Sequence, residues 1–220
     1  MGAPPTGSSF RHPVFARFYA KVAGPALEKA GATEHRRRLL AGLGGEVVEV
    51  GAGNGLNFPH YPPEVTRVLA VEPEPDLRGF AERAAGAVPT RIDVVNGRAE
   101  RIPAEDAAFD AAVVCLVLCS VVDQRAALAE LRRVLRPGGQ LRFFEHVQAE
   151  SPAMRRVQRG LDATLWPLLV GGCHTGRDTR SAIESAGFTL TRIDTFAFPQ
   201  TRFPSPAATH ILGTAEAPRP

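Results

Sequence analysis

The segment Val47-Val48-Glu49-Val50-Gly51-Ala52-Gly53-Asn54-Gly55 constrains this chain more than any other. Its first half reads as a short buried strand, which runs straight into three glycines at alternate positions. Glycine has no Cβ, so such a loop lets backbone approach a ligand closely and adopts positive φ without steric cost. A second apolar run, Val68-Leu69-Ala70-Val71, ends in Glu72. An acid about 20 residues beyond a glycine-rich strand end is the arrangement that grips ribose hydroxyls in nucleotide-binding α/β folds. The two features together imply an adenosine-containing cofactor.

Around this loop, strand and helix patterns alternate. Apolar runs predict strands over 46–50, 66–71, 91–95, 109–116 and 140–147. Helical periodicity predicts helices over 13–30, 33–43, 54–60, 75–85 and 123–135. Thr33 and Asp123 are the expected N-caps. The tripeptide Pro137-Gly138-Gly139 is expected to stop the last of these helices. Beyond 147 come a helix over 151–169, one over 179–186, and strands over 188–197 and 207–215. Runs buried on both faces and separated by helices predict a Rossmann-like α/β fold. Its sheet is seven-stranded and mostly parallel, with the last strand antiparallel. Helices cover both faces, and an N-terminal helical cap sits beside it. The 220 residues fit one such domain. Within it, 1–45 is tail and cap, 46–147 the cofactor-binding core, 148–187 a lid or substrate region, and 188–220 the terminal strand pair and tail.

Charge and cysteine usage exclude several partners. The formal net charge is +3, and Lys21 and Lys29 are the only lysines. The triplet Arg36-Arg37-Arg38 reads as a solvated helix face, and no aromatic-rich basic stripe supports nucleic-acid binding. Cys115, Cys119 and Cys173 form no Cys-x-x-Cys pair, so neither a disulfide framework nor a metal site is expected. Residues 1–9 have no apolar core, and no run is long enough to span a bilayer. The expectation is a cytoplasmic protein without membrane attachment, monomeric or dimeric.

Three readings compete for the glycine loop. It could be a turn that packs a strand on a helix, but Glu72 weakens that reading. It could hold NAD(P), whose fingerprint is Gly-x-Gly-x-x-Gly; here the third glycine comes one residue early. The third reading is S-adenosylmethionine (SAM), which has no phosphates to cradle. At this point the residues resemble the class I methyltransferase family. The resemblance is carried by 47–55, Glu72, Gly97-Arg98-Ala99-Glu100-Arg101-Ile102-Pro103 with Phe109-Asp110, and Leu131-Arg132-Arg133-Val134-Leu135-Arg136-Pro137-Gly138-Gly139. A narrower set is similar to the methyltransferase-like 7 family of alkyl thiol methyltransferases. It comprises Asn57-Phe58, Tyr61-Pro62-Pro63, 114–121, Glu145-His146-Val147, Gln158, Leu161-Asp162, Trp166, Gly172-Cys173, Thr175 and Arg177. Mammalian members carry an N-terminal membrane-anchoring helix, and no such segment is read in this chain.

The resemblance implies SAM as cofactor and methyl transfer to sulfur on a small molecule. It implies that Gly51, Ala52, Gly53, Asn54 and Gly55 wrap the methionine portion, that Glu72 takes the ribose, and that Pro73 lies beside the adenine. Arg98 and Ala99 stand where the broad family usually has Asp-Ala at the adenine. Arg98 is a departure, because arginine offers no acceptor. Cys115 and Leu116 would approach the amino-acid portion through their backbone, with Tyr19 and Asn57 as carboxylate contacts. For Tyr19 a plain core or lid aromatic stands equally open.

A thiol acceptor needs only modest help to lose its proton. His146, at the end of the fifth strand, could supply it, or could simply hydrogen-bond a neighbouring loop. Asp162 could orient His146 or pair with an arginine on the surface. His174 is read as a loop hydrogen-bonder, and Cys119 and Cys173 are not read as nucleophiles. Phe15, Phe18, Tyr19, 117–121, Trp166, Leu168 and Leu169 would line an apolar acceptor pocket, or serve as ordinary core. Methylation of oxygen, nitrogen or carbon on a small aromatic or quinone-like acceptor, and a non-catalytic cofactor-binding domain, remain as alternatives.

Overall fold

Seven strands pair into one sheet in the order β3-β2-β1-β4-β5-β7-β6. The computed structural model describes residues 13–169, 171–200 and 205–219, without the side chains of Val14, Phe15, Leu168 and Leu169. β1 (Gly45–Val50) lies between β2 (Val65–Val71) and β4 (Phe109–Cys115), parallel to both. β3 (Ile92–Val95) extends the sheet beyond β2, and β5 (Leu135–His146) beyond β4, again in parallel. β7 (Thr209–Glu216) runs antiparallel to both β5 and β6 (Thr189–Ala197). The expected reversed strand is therefore present, inserted between β5 and an outer strand that again runs parallel to the rest. A hairpin from β6 puts β7 where its N–H and C=O groups satisfy two neighbours.

Alternate strand residues face opposite layers. Val48, Val50, Val114, Phe143 and Ile211 join Leu128 and Leu131 of α5 (Gln124–Val134) and Ile183 of α8 (Thr179–Ser185) in one core layer. Val47, Val68, Val113 and Phe144 join Leu39 and Leu40 of α3 (Ala32–Leu40) in the other, with Phe58 and Tyr61. The N-terminal cap is α1 (Pro13–Phe18), a π-helical turn over Tyr19–Ala23, and α2 (Gly24–Lys29). A π turn inside an α-helix frequently marks a functional site, and here it carries Tyr19.

Helix starts follow side-chain chemistry. Glu74 accepts from Leu77 N–H at 2.7 Å ahead of α4 (Pro75–Ala85). Asp123 accepts from Ala126 N–H at 3.0 Å, and Asp178 from Ser181 N–H at 3.1 Å. Each satisfies an orphan N–H of its helix.

Local expectations fail in five places. Thr33 does not cap α3; it lies inside that helix and its hydroxyl donates to Glu28, while Gly31 in a left-handed conformation starts the turn. Residues 54–60 form turns and one short 3-10 helix (Phe58–His60), since Pro59 removes a donor from so brief a segment. Pro137-Gly138-Gly139 lies within β5, in an irregular stretch between the Phe109–Leu135 and Ala111–Gln140 pairs. The predicted helix over 151–169 breaks at 163–165, between α6 (Pro152–Asp162) and α7 (Trp166–Leu169). Pro167 thus sits in the first turn of α7, where a missing N–H does no harm. Arg36 is buried, unlike the solvated face expected of its triplet.

Candidate functional site

The glycine loop leaves β1 at the carboxyl edge of the sheet, beside the ends of β2 and β4. Gly51, Gly53 and Gly55 all have positive φ. A Cβ on Gly51 would lie 2.5 Å from Val117, and one on Gly55 would lie 2.8 Å from both Ala84 and the Phe58 ring. Those two positions let neighbouring elements pack. Gly53 differs: its nearest neighbour would be the Tyr19 ring at 3.7 Å. Gly53 therefore presents bare backbone under an aromatic side chain, where a methyl group would meet the ring at ordinary van der Waals distance.

Glu72, at the end of β2, is buried. Its carboxylate accepts from Gly53 N–H at 2.8 Å and from Glu74 N–H at 2.9 Å. Burial pushes its pKa upward, opposed by those two N–H donors. A carboxylate has about four acceptor positions, so capacity remains for two hydroxyls. Arg98 stands further round, its guanidinium 3.5 Å from Glu100, and Ala99 is buried beside it. Glu100 also accepts from Val122 N–H at 3.0 Å, tying this turn to the entrance of α5.

Beneath the loop lies a polar network that sequence reasoning missed. Arg36 is only 3% exposed. It donates to Glu28 and to Asn57 Oδ1, each at 2.8 Å, and to Cys115 Sγ at 3.1 Å. Asn57 in turn donates to Glu49 at 2.8 Å, and Tyr61 donates to Glu49 at 2.7 Å. Burial pushes Glu49 up to about 7, against the Tyr61 and Asn57 bonds that favour its anion. Burial likewise pushes the Cys115 thiol up to about 11, so that sulfur is an inert acceptor. Arg36 Nη2 is buried with no hydrogen-bond partner among the described residues. The Tyr19 side chain also interacts with this guanidinium, and a buried guanidinium N–H with no acceptor among the described residues suits an anion. The expected carboxylate contact Asn57 already has its oxygen on Arg36; the free donor belongs to the arginine instead. The only signal in the chain was an arginine at helical spacing among Ala32, Leu39 and Leu40, easily taken for surface.

The far side of the site is built by the segment after β4. Leu116 has φ +60, a strained conformation for a residue with a side chain. Glu145, fully buried on β5, holds the next turn through Val117 N–H, Leu118 N–H and Cys119 N–H at 2.9, 3.0 and 3.3 Å. Burial pushes Glu145 up to about 7 in spite of these three donors. Leu118 and Cys119 are buried. Arg177 donates to Leu118 O and Val121 O, each at 2.7 Å. Asp162 accepts from Thr175 N–H and Oγ1 and from Gly176 N–H. It organises the 172–177 loop and does not orient His146. His146 sits instead with Nδ1 at 3.5 Å from Cys173 Sγ and Nε2 at 3.5 Å from Pro206 O. Cys119 completes this cluster. A hydrogen bond with Cys119 holds the Cys173 thiol below its ordinary range, while Cys119 itself lies well above. His146 is raised overall: burial opposes its charge, and Cys119 beside it outweighs that effect.

Comparison with known proteins interprets this edge. The methyltransferase domain family matches residues 48–143, the span from β1 to β5. Thiol S-methyltransferase TMT1A of Homo sapiens is 34% identical over 165 residues, covering 73% of this chain and 67% of that protein. Thiol S-methyltransferase TMT1B of Mus musculus is 38% identical over 182 residues, covering 80% and 73%. The chain belongs to the thiol S-methyltransferase family. It is a SAM-dependent methyltransferase. A solved SAM-dependent methyltransferase of Thermotoga maritima superposes with a TM-score of 0.67 at 21% identity, over 93% of this chain and 98% of that one, and so shares the fold.

For a member of this family the residues present fit SAM. Gly53 presents bare backbone beneath the Tyr19 ring, Glu72 has spare acceptor capacity beside it, and Arg36 Nη2 has no hydrogen-bond partner among the described residues. Tyr19, Gly51, Ala52, Gly53, Asn54, Gly55, Asn57, Cys115 and Leu116 come together around the β1 and β4 ends; Pro73, Arg98 and Ala99 lie at the β2–β3 side. Of the expected acceptor pocket, the Phe15, Leu168 and Leu169 side chains lie outside the described residues, Phe18 is 53% exposed, and the buried indole N–H of Trp166 has no hydrogen-bond partner among the described residues. Among the described residues no helix is long and apolar enough to cross a membrane. A cavity of about 870 Å³ lined by His35, Arg38, Phe196 and Phe198 shares no residue with this site.

Proposed function

We propose that this protein transfers the methyl group of SAM to the sulfur of a small, hydrophobic thiol. The carrying observation is the 34–38% identity to thiol S-methyltransferases over most of the chain. When bound, SAM supplies a sulfonium methyl that is already a strong electrophile. The protein's tasks are then alignment and exclusion of water, and holding reactants in line removes much of the entropic barrier.

Each residue has a part in that alignment. Glu72 takes the ribose hydroxyls and Arg36 the methionine carboxylate. Tyr19 closes over Gly53. Glu145 keeps Val117–Cys119 rigid, so the acceptor meets a fixed wall. A thiol is a few per cent ionised near neutral pH, so little acid–base assistance is required. Both ring nitrogens of His146 face protein atoms, so any part it plays in proton removal passes through the Cys119–Cys173 cluster. The three cysteines are free thiols, which supports a reducing, cytoplasmic setting.

Labelled methyl transfer to small alkyl thiols, compared with phenols and amines, tests the reading. We expect turnover with alkyl thiols well above both other classes. Turnover confined to phenols or amines, or none with any thiol, would refute it.

A further inference from the structure

Three metal-type ligands from three separate elements converge at the end of β5. Cys119 Sγ, a His146 ring nitrogen and Cys173 Sγ all lie within 4.8 Å of one another. We propose that they form a binding site for a soft divalent metal ion, Zn²⁺ foremost, whose fourth position receives a small thiol. The metal part stands on the geometry alone; the thiol part rests on the function proposed above.

The donor set selects the metal. Two thiolates and one imidazole suit Zn²⁺ and disfavour Mg²⁺ or Ca²⁺, which take oxygen ligands. Three protein ligands instead of four is the pattern of zinc sites that keep a position open. The spacing also fits. Tetrahedral zinc with ordinary Zn–S and Zn–N bonds places a sulfur and a nitrogen about 3.5 Å apart. Cys173 Sγ and His146 Nδ1 stand 3.5 Å apart.

The surroundings prepare the histidine. Nε2 faces the Pro206 carbonyl at 3.5 Å, which favours the proton there and leaves the Nδ1 lone pair facing the sulfur. A metal-ligating imidazole usually has such a carbonyl or carboxylate behind it. The two cysteine-bearing loops are fastened to each other. His174 N–H donates to Cys119 O at 2.9 Å. Arg177 bridges from one loop to Leu118 O and Val121 O of the other. A Cβ on Gly172 would lie 2.9 Å from Ser120 O, so the loops touch through bare backbone. Glu145 and Asp162 anchor them from beneath. Ligands held this firmly are preorganised, as a tight metal site requires.

Chemically, the site would convert an acceptor R–SH to a metal-bound R–S⁻ with release of a proton to solvent. The new C–S bond forms as the methyl–sulfonium bond breaks. Its electron pair leaves on the neutral sulfur of S-adenosylhomocysteine, and the product thioether, a poorer ligand, dissociates.

The experiment is a metal titration of the full chain, reduced and stripped with chelator. We expect uptake of one Co²⁺ per chain, with thiolate-to-metal charge-transfer absorption that Zn²⁺ abolishes. Adding ethanethiol should shift the Co²⁺ spectrum. Cys119→Ser and Cys173→Ser should each weaken uptake by about 100-fold or more, at or beyond the upper end of losses from altered outer-shell partners. Cys115→Ser should leave uptake unchanged. S-adenosylhomocysteine binding reports that each variant is folded. If a variant does not fold, the wild-type stoichiometry and thiolate band still decide. No uptake by reduced wild-type protein, uptake without a thiolate band, or uptake that survives both serine variants would overturn the proposal. Metal uptake without methyl transfer to any thiol would uphold the site and refute the thiol reading. Thiol turnover by metal-free protein that takes up no metal would do the reverse.

Discussion

Arg36 and Glu49 show how individual residues set the chemistry under the glycine loop. If Arg36 Nη2 receives the methionine carboxylate, Arg36→Lys should weaken S-adenosylhomocysteine about tenfold or more, because an ammonium lacks the planar fork. Affinity for 5′-methylthioadenosine, which lacks the amino-acid portion, should stay nearly unchanged. Calorimetry on both ligands checks this; an equal loss for both would mean that the arginine acts only through the fold. Glu49 makes a pH prediction. Its folded pKa of about 7 lies above the ordinary 4.5, so across that window the unfolded chain binds fewer protons than the native one. Stability therefore falls as pH rises from 4.5 to 7 and levels off above. Each such group contributes a slope of about 1 kcal/mol per pH unit. Glu145 titrates in the same sense, also at about 7. His210, lowered by burial to about 4, contributes the opposite slope up to pH 6.5, so the diagnostic is the difference between proteins. Glu49→Gln should make the slope in urea unfolding less negative by about 1 kcal/mol per pH unit across the window, and an unchanged slope would show that Glu49 is ionised throughout.

At the scale of elements, β1, the glycine loop and α4 depend on close approach. Gly55→Ala puts a methyl group 2.8 Å from Ala84 and Phe58 at φ +81. Overpacking and a left-handed backbone each cost about 1 kcal/mol or more. We expect at least 2 kcal/mol of destabilisation in denaturant unfolding, together with weaker cofactor binding. Gln158 plays the corresponding part at the lid. Fully buried on α6, it donates to Thr175 O at 2.9 Å and Pro206 O at 2.7 Å, and accepts from Ala149 N–H at 2.8 Å. Gln158→Leu leaves those groups unpaired. Each unpaired group costs about 1–3 kcal/mol, and the loss should appear as early hydrogen exchange over 172–177 ahead of the β-sheet. Element identity was largely legible because strand and helix periodicities are local. The exceptions have local causes too: Pro59 interrupts a short turn, and Gly31 displaces Thr33 from the cap.

For the whole molecule, cofactor binding and folding are linked. S-adenosylhomocysteine at 100 times its dissociation constant should stabilise the protein by about 2.7 kcal/mol, seen as a rise in thermal midpoint, whereas NAD should produce none. Equal shifts from both would contradict the identification of the cofactor. The glycine loop, Glu72 and the methyltransferase fold were determined by the sequence alone. Their signals lie in contiguous patterns: apolar runs, alternate glycines, and an acid one strand further on. The tertiary structure alone decided the rest. It inserted β7 between β5 and β6, because β7 is the largely buried strand of the hairpin and β6 the more exposed one, fit for an edge. It buried Arg36 under the loop, where Glu28, Asn57 and Cys115 share its charge. It brought Cys119, His146 and Cys173 together across separations of 27 residues each. No periodicity encodes that meeting, because it exists only where three chain segments end at one edge of the sheet.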